Sequence, residues 1–115
     1  MWFQKEIVLS PRARGFHLIT QEIIQQLPEM SQLKVGMMNI LIKHTSASLT
    51  INENADSSVR DDFESFFNRL VAQDTPYFTH IYEGSDDMPA HLKSSLLGSS
   101  LNIPITQGAL NLEMI

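Results

Sequence analysis

The chain lacks cysteine, which excludes disulfide bonds and thiolate metal ligands. Basic residues are few: eight lysines and arginines stand against thirteen acidic residues, and they are scattered. Because nucleic-acid binders usually carry a clustered basic face, we expect no nucleic-acid partner. Long hydrophobic runs are also missing, and none approaches the roughly 20 apolar residues that cross a bilayer. The N-terminus has no basic-then-apolar signal pattern, so we expect a cytoplasmic protein without a membrane partner.

The remaining composition, 43% hydrophobic and 18% charged, is typical of a globular domain. No repeat, linker or low-complexity tract divides the sequence, so we expect a single domain over residues 1–115. Short apolar or alternating segments predict strands at residues 3–9, 37–43, 49–51, 101–105 and 109–112. Residues 37–43 are apolar enough for a central strand, whereas Pro104 favours an edge strand or a bulge. Gln107 and Gly108 predict the turn between the last two strands.

Apolar residues three and four positions apart predict helices at residues 55–71 and 88–97. A shorter helix is expected to begin at Thr20 as its N-cap and to stop at Pro28. Asn54 or Asp56 is expected to cap the longest helix. Its apolar stripe is interpreted as core packing, and it consists of Val59, Phe63, Phe66, Phe67 and Leu70. Two to three helices interspersed with strands indicate an α+β fold.

The segment from residue 44 to residue 56 contains one imidazole, two carboxylates, two amides and four hydroxyls. If its backbone is extended, one face carries His44, Ser46, Ser48, Thr50 and Asn52. Such a polar row is costly to bury unless it is hydrogen-bonded or holds a ligand, so it predicts an ion or small-molecule site. A turn within residues 45–48 would break the alternation.

Imidazole is a common metal ligand, so His44, His80 and His91 are candidates for a metal site. Their spacings match no local zinc motif and leave open whether they converge. His17 lies between two apolar residues and is interpreted as packed.

The acidic residues have alternative interpretations. Glu53 is a candidate general base, or a group that orients a ligating histidine, whereas Asp56 and Asp87 can also cap helices. Arg12 and Arg14 closely precede Gly15 and either meet an anion locally or belong to a solvated loop. No serine-nucleophile spacing and no glycine-rich phosphate loop is present.

Several longer motifs resemble the YjbQ-like family. They are His44-Thr-Ser-Ala-Ser, Ile51-Asn-Glu-Asn-Ala-Asp56, the stretch from Glu83 to His91, the stretch from Lys93 to Ser100, Trp2-Phe-Gln-Lys5 and Arg14-Gly-Phe-His17. The resemblance covers essentially the whole chain. It implies an α+β domain containing a β-sandwich that assembles into a homotrimer. A secondary thiamine-phosphate synthase activity is attributed to some members.

The resemblance also implies a pocket that binds a small phosphorylated molecule or another anion. In this interpretation a divalent metal, most simply zinc, is bound by His44, His80 and His91. Glu53 and His44 are the implied catalytic groups. The implied substrate or anion contacts are Ser46, Asn52, Asp56 and Asp87.

The C-terminus departs from the family pattern. Family members continue past the equivalent of Leu112 with further strands and a Glu-His-Arg motif, so we expect a C-terminally shortened domain. The alternative to a metal-assisted enzyme is therefore a non-catalytic trimeric protein that binds an ion or metabolite, inactive because that motif is missing.

Overall fold

A computed structural model describes residues 1–112. Within that range the α-helices are α1 (Thr20–Gln25), α2 (Ser57–Leu70) and α3 (Asp87–Leu97), and a 3-10 helix spans Pro28–Gln32. The strands are β1 (Val35–Leu41), β2 (Ser100–Thr106) and β3 (Ala109–Leu110). The three helices and the antiparallel sheet confirm the α+β prediction. No helix in the described range is long and apolar enough to span a membrane.

The sheet has the order β1-β2-β3, and both strand pairs are antiparallel. Val35 pairs with Thr106 at one end of the β1–β2 ladder, and Leu41 pairs with Ser100 at the other. Within residues 1–112, β1 therefore lies at an edge, and its predicted central position is wrong. The apolar composition misled the prediction because only alternate β1 residues are covered, while Val35 and Leu41 are 84% and 60% exposed. Residues 1–112 contain this one sheet.

The predicted turn at Gln107 and Gly108 is confirmed, with φ values of 53° and 77°. Positive φ at both central residues is typical of the tight turns that connect twisted strands. Pro104 lies in the middle strand, and its carbonyl accepts a 2.8 Å hydrogen bond from the backbone N–H of Asn111. Because proline has no N–H, Pro104 cannot donate a second hydrogen bond to Asn111. The strand β3 accordingly ends before Asn111, at Leu110.

Two predicted strands do not form. Residues 3–9 are irregular. Lys5 holds this segment beside the first helices by donating to the Gln26 carbonyl at 3.1 Å and to Glu29 at 3.0 Å. Residues 49–51 are also irregular, although Leu49 is buried and its N–H donates to the Gly98 carbonyl. Both segments have strand-like composition, but neither finds a continuous backbone partner, which a strand requires.

The helix limits agree with the predictions more closely than the strand limits do. Asp56 caps α2, as predicted, by accepting a 2.9 Å hydrogen bond from the N–H of Ser58. Hydrogen bonds from the side chain and from the backbone N–H of Ser58 lower the pKa of Asp56. The predicted cap at Thr20 is wrong, because α1 begins there and the preceding Ile19 makes no side-chain cap.

The apolar stripe of α2 is only partly covered. Phe63 and Phe67 lie 5.3 and 5.9 Å from the ring of Phe16, whereas Phe66 and Leu70 are 60% and 57% exposed. The interpretation of the whole stripe as core is therefore wrong, because the N-terminal segment covers only one side of the helix. The buried apolar core is formed elsewhere, by Ile23, Met30, Leu49, Val71, Ile103 and Ile105.

Candidate metal centre

Three side chains converge at the start of α3. Asp87 is the first residue of the helix and His91 lies four residues later, so both project from the same face. His80 approaches from the loop that precedes the helix. One ligand atom from each residue lies within 4.8 Å of the others, and Asp87 and His91 are partly buried while His80 is exposed.

One carboxylate oxygen joins the two imidazoles. Oδ2 of Asp87 lies 2.7 Å from Nε2 of His80 and 3.2 Å from Nε2 of His91. The two rings meet edge to face with centroids 5.3 Å apart. The cap role considered for Asp87 is wrong: Asp86 occupies the N-cap position, where no side chain caps the helix, and the Asp87 carboxylate faces the histidines instead.

The backbone determines which nitrogen of His91 carries a proton. Nδ1 of His91 lies 3.0 Å from the carbonyl oxygen of Thr45. A carbonyl can only accept, so Nδ1 carries the hydrogen and Nε2 of the neutral ring presents a lone pair. That lone pair faces the Asp87 carboxylate oxygen at 3.2 Å. Two acceptors at this distance repel each other unless a proton or a metal cation lies between them.

His44 has the opposite arrangement. Its Nδ1 accepts a 3.1 Å hydrogen bond from the backbone N–H of Ser46, whose Oγ lies 3.0 Å from the same atom. Neutral His44 therefore carries its proton on Nε2 and is a donor there. The chain bends at residues 45 and 46, which breaks the alternation expected for an extended polar row. The structure thus groups His80 and His91 with Asp87, and His44 lies outside that group.

The other candidate residues have mainly local contacts. Oδ1 of Asn52 accepts the N–H of Glu53 at 2.8 Å, and Asp56 caps α2. Ser46 contacts the ring of His44. Glu53 is partly buried, and within residues 1–112 its carboxylate makes no hydrogen bond or ion pair. These residues follow one another along the loop but do not converge on the Asp87 carboxylate.

Three hydrogen bonds hold the loop at residues 45–49 against α3 and the glycine that follows it. Besides the bond from His91 to Thr45, Oγ of Ser94 donates to the Ala47 carbonyl at 2.7 Å, and the Leu49 N–H donates to the Gly98 carbonyl at 3.1 Å. Ser94 is buried, so its hydroxyl requires this partner. Sequence reasoning missed the Thr45 carbonyl because a backbone acceptor leaves no signal in residue type.

The fold and the site together define a small α+β protein with a two-histidine, one-carboxylate group at the start of a helix. The family described as "UPF0047 protein YjbQ-like" matches residues 5–115, and the chain belongs to that family. The UPF0047 protein YjbQ of Escherichia coli O157:H7 is 53% identical over 108 residues, which cover 94% of this chain and 78% of that protein. The UPF0047 protein YugU of Bacillus subtilis is 35% identical over 80% of this chain and 67% of its own length.

Solved structures have the same fold. The conserved hypothetical protein TT1486 from Thermus thermophilus matches with a TM-score of 0.74 and 31% identity, covering 86% of this chain and 73% of that one. An uncharacterized YjbQ/UPF0047 protein from Clostridium acetobutylicum matches with a TM-score of 0.72 and 35% identity, over 84% and 70% of the two chains. The family and its α+β fold were thus correctly predicted from the sequence motifs.

Proposed function

We propose that the protein binds a divalent metal ion, zinc being the best fit, through His80, Asp87 and His91. The observation that carries the proposal is the geometry around Oδ2 of Asp87, which has one imidazole nitrogen on either side. Three protein ligands with a further position open to water or substrate is the usual composition of a catalytic zinc site.

The contact between His91 and Thr45 supports this choice of ligands. Metal-binding histidines commonly donate their second ring N–H to a carbonyl, which fixes the ring orientation and leaves the other nitrogen free for the metal. His91 has this arrangement, with Nδ1 donating to Thr45 and Nε2 turned toward Asp87. His44 has the reverse tautomer, so we assign it a different role from the ligand predicted from the sequence.

The proposed reaction class is metal-assisted chemistry on a small phosphorylated molecule, with thiamine-phosphate synthesis as the first activity to assay. A bound divalent ion would stabilise negative charge on a phosphoryl oxygen. In this scheme Nε2–H of His44 donates to the substrate, and Glu53 accepts a proton. Ser46 and Asn52 lie on the same loop and supply further polar contacts.

Metal content per chain tests the proposal. Purified protein, and protein dialysed against zinc and then desalted, are analysed by elemental mass spectrometry. We expect close to one ion per chain, and loss of most of it in His91→Ala and Asp87→Ala. His17→Ala is the matched control, because His17 binds the Ala13 carbonyl and lies outside the ligand group.

Two results would contradict the proposal. Metal-free protein after zinc dialysis would exclude the site, as would equal metal content in H91A and H17A. His44→Ala decides the role of His44: retained metal agrees with a donor role, whereas lost metal would restore it as a ligand. Circular dichroism of each variant verifies that the fold survives.

A second candidate is a non-catalytic homotrimer that binds an ion or a metabolite. The positions of the proposed catalytic groups favour this candidate, because among residues 1–112 neither His44 nor Glu53 belongs to the metal group. Turnover separates the candidates. Metal-loaded protein that binds a phosphorylated compound without converting it supports the second candidate, whereas turnover that is lost in E53Q supports the first.

A further inference from the structure

A separate cleft lies between the N-terminal segment and α2. Its volume is about 290 Å³, and the donor groups in its lining come from Arg14, Ser57 and Arg60. None of the three residues of the metal group lines it. Of the residues in this cleft, the sequence analysis considered only Arg14 as an anion contact, as one of the two arginines that closely precede Gly15.

Aromatic packing and one glycine shape this cleft. The ring of Phe16 packs against Phe63 and Phe67 on α2, which holds the N-terminal segment against the helix. Gly15 has φ of +141°, a conformation that residues with side chains rarely adopt. This backbone geometry brings Arg14 beside α2, where its Nε lies 3.4 Å from Oε1 of Glu64.

Arg60 is a charged residue in the lining of the cleft whose side chain lacks an acceptor in the part of the chain that the structure describes. Its Nη1 is shielded from solvent and has no hydrogen-bond partner among residues 1–112, and the guanidinium makes no ion pair in that range. Leaving a buried charged donor without an acceptor is strongly unfavourable. Glu64 makes no hydrogen bond or ion pair with Arg60 among residues 1–112; its Oε1 receives Asn68 Nδ2 at 3.0 Å and faces Arg14.

Other charges around the cleft limit the kind of ligand. Lys93 on α3 is near enough to Arg14 for their charges to repel. Partial burial, followed by this repulsion, lowers the pKa of Lys93. The carboxylates of Asp61 and Glu64 also line the cleft and balance the formal charge of its two arginines. The cleft therefore combines oriented donors with little net charge, which suits one small anionic group better than a polyanion.

We propose that this cleft binds a phosphoryl group, as free phosphate or as a small phosphate monoester. Arg60 and Arg14 donate to its oxygens, and the Ser57 hydroxyl supplies a neutral donor. Arginine matches the geometry of phosphate oxygens and is preferred where an anion must be oriented. The volume accommodates the phosphoryl group and a short substituent, and the site does not depend on the metal centre.

Isothermal titration at constant ionic strength tests the proposal, with inorganic phosphate and glycerol phosphate as separate ligands. Arg60→Gln removes the partly buried guanidinium. Arg69→Gln is the matched control, because Arg69 is exposed in the last turn of the same helix. We expect R60Q to weaken binding at least about tenfold, since hydrogen bonds to charged groups are among the stronger ones. R69Q should bind as the unmodified protein does.

Each outcome has a definite meaning. Tighter binding of the monoester identifies it as the ligand class, and equal affinities assign the cleft to the phosphoryl group alone. No heat of binding for either compound overturns the proposal, as does equal weakening in R60Q and R69Q, which would indicate diffuse charge attraction. Binding lost in H91A but kept in R60Q would move the phosphate to the metal centre and overturn the cleft assignment. Thermal melts of each variant identify loss of binding through misfolding.

Discussion

At the scale of single residues, backbone acceptors and donors decide what each imidazole can do. His91 donates from Nδ1 to the Thr45 carbonyl, while His44 accepts at Nδ1 from the Ser46 N–H. One ring is left with a free lone pair at Nε2 and the other with a proton there. Two histidines that are indistinguishable by residue type thus present opposite groups at Nε2, a lone pair on His91 and an N–H on His44.

This difference is directly measurable. In metal-free protein at a pH where the rings are neutral, we expect nitrogen-15 NMR to find His91 protonated on Nδ1 and His44 on Nε2. His17 serves as an internal reference: its Nε2 lies 2.6 Å from the Ala13 carbonyl and must donate. A His91 ring protonated on Nε2 would remove the argument for its lone pair facing Asp87.

At the scale of secondary-structure elements, the cap of the longest helix was predicted correctly, but the pairing of strands was not. Asp56, one of the two predicted caps of α2, was correct, because caps depend on a few neighbouring residues. Residues 3–9 were predicted as a strand, but strand formation needs a partner that the sequence does not name.

In the candidate site, too, residue types were predicted from the sequence, whereas the spatial grouping of the residues was not. His80 and His91 were identified by residue type, and Asp87 was included among the anion contacts. His44 lies outside the group of His80, Asp87 and His91, and predicting this would have required knowledge of the bend at residues 45–46 and its contact with α3.

The hairpin between β2 and β3 provides a test of element geometry. Gly108 has φ of +77°, and a Cβ built on it would lie 3.0 Å from the Ser31 carbonyl oxygen. We expect Gly108→Ala to lower the free energy of unfolding by about 2–5 kcal/mol, through left-handed strain and this backbone contact.

Gly36→Ala is the matched control, because Gly36 has no positive φ and the nearest neighbour of a Cβ there would be the flexible end of the Leu33 side chain, at 3.3 Å. A change within about 1 kcal/mol is expected for G36A. Urea denaturation measures both variants. Equal destabilisation would mean that the hairpin turn does not have the described geometry.

At the scale of the whole molecule, the chain is more extended and more apolar at its surface than a monomer of this length normally is. Its radius of gyration is 16.4 Å, compared with about 13 Å for a compact domain of this size. The uncovered face of the sheet carries Val35, Met37 and Leu41, each at least 60% exposed. Such a surface is typical of an interface between subunits, which supports the proposed homotrimer.

The mass in solution tests this proposal. Light scattering after size exclusion should give three times the 13.0 kDa chain mass. Met37→Lys places a charge on the exposed sheet face and should dissociate the trimer without unfolding the chain. Val8→Lys is the control, because Val8 is 81% exposed but lies outside the sheet. A monomeric unmodified protein would contradict the trimer, and an M37K trimer would place the interface elsewhere.

The three hydrogen bonds between the loop at residues 45–49 and α3 also have a thermodynamic consequence. A cation held by Asp87 and His91 would order the first turn of α3, and through Thr45 it would order the backbone beside His44. An anion arriving at His44 would then meet a loop whose conformational entropy has already been reduced, so it would bind more tightly. Because linkage is reciprocal, the anion would raise the affinity for the cation by the same factor. The two ligands would therefore bind with positive cooperativity, even without direct contact between them.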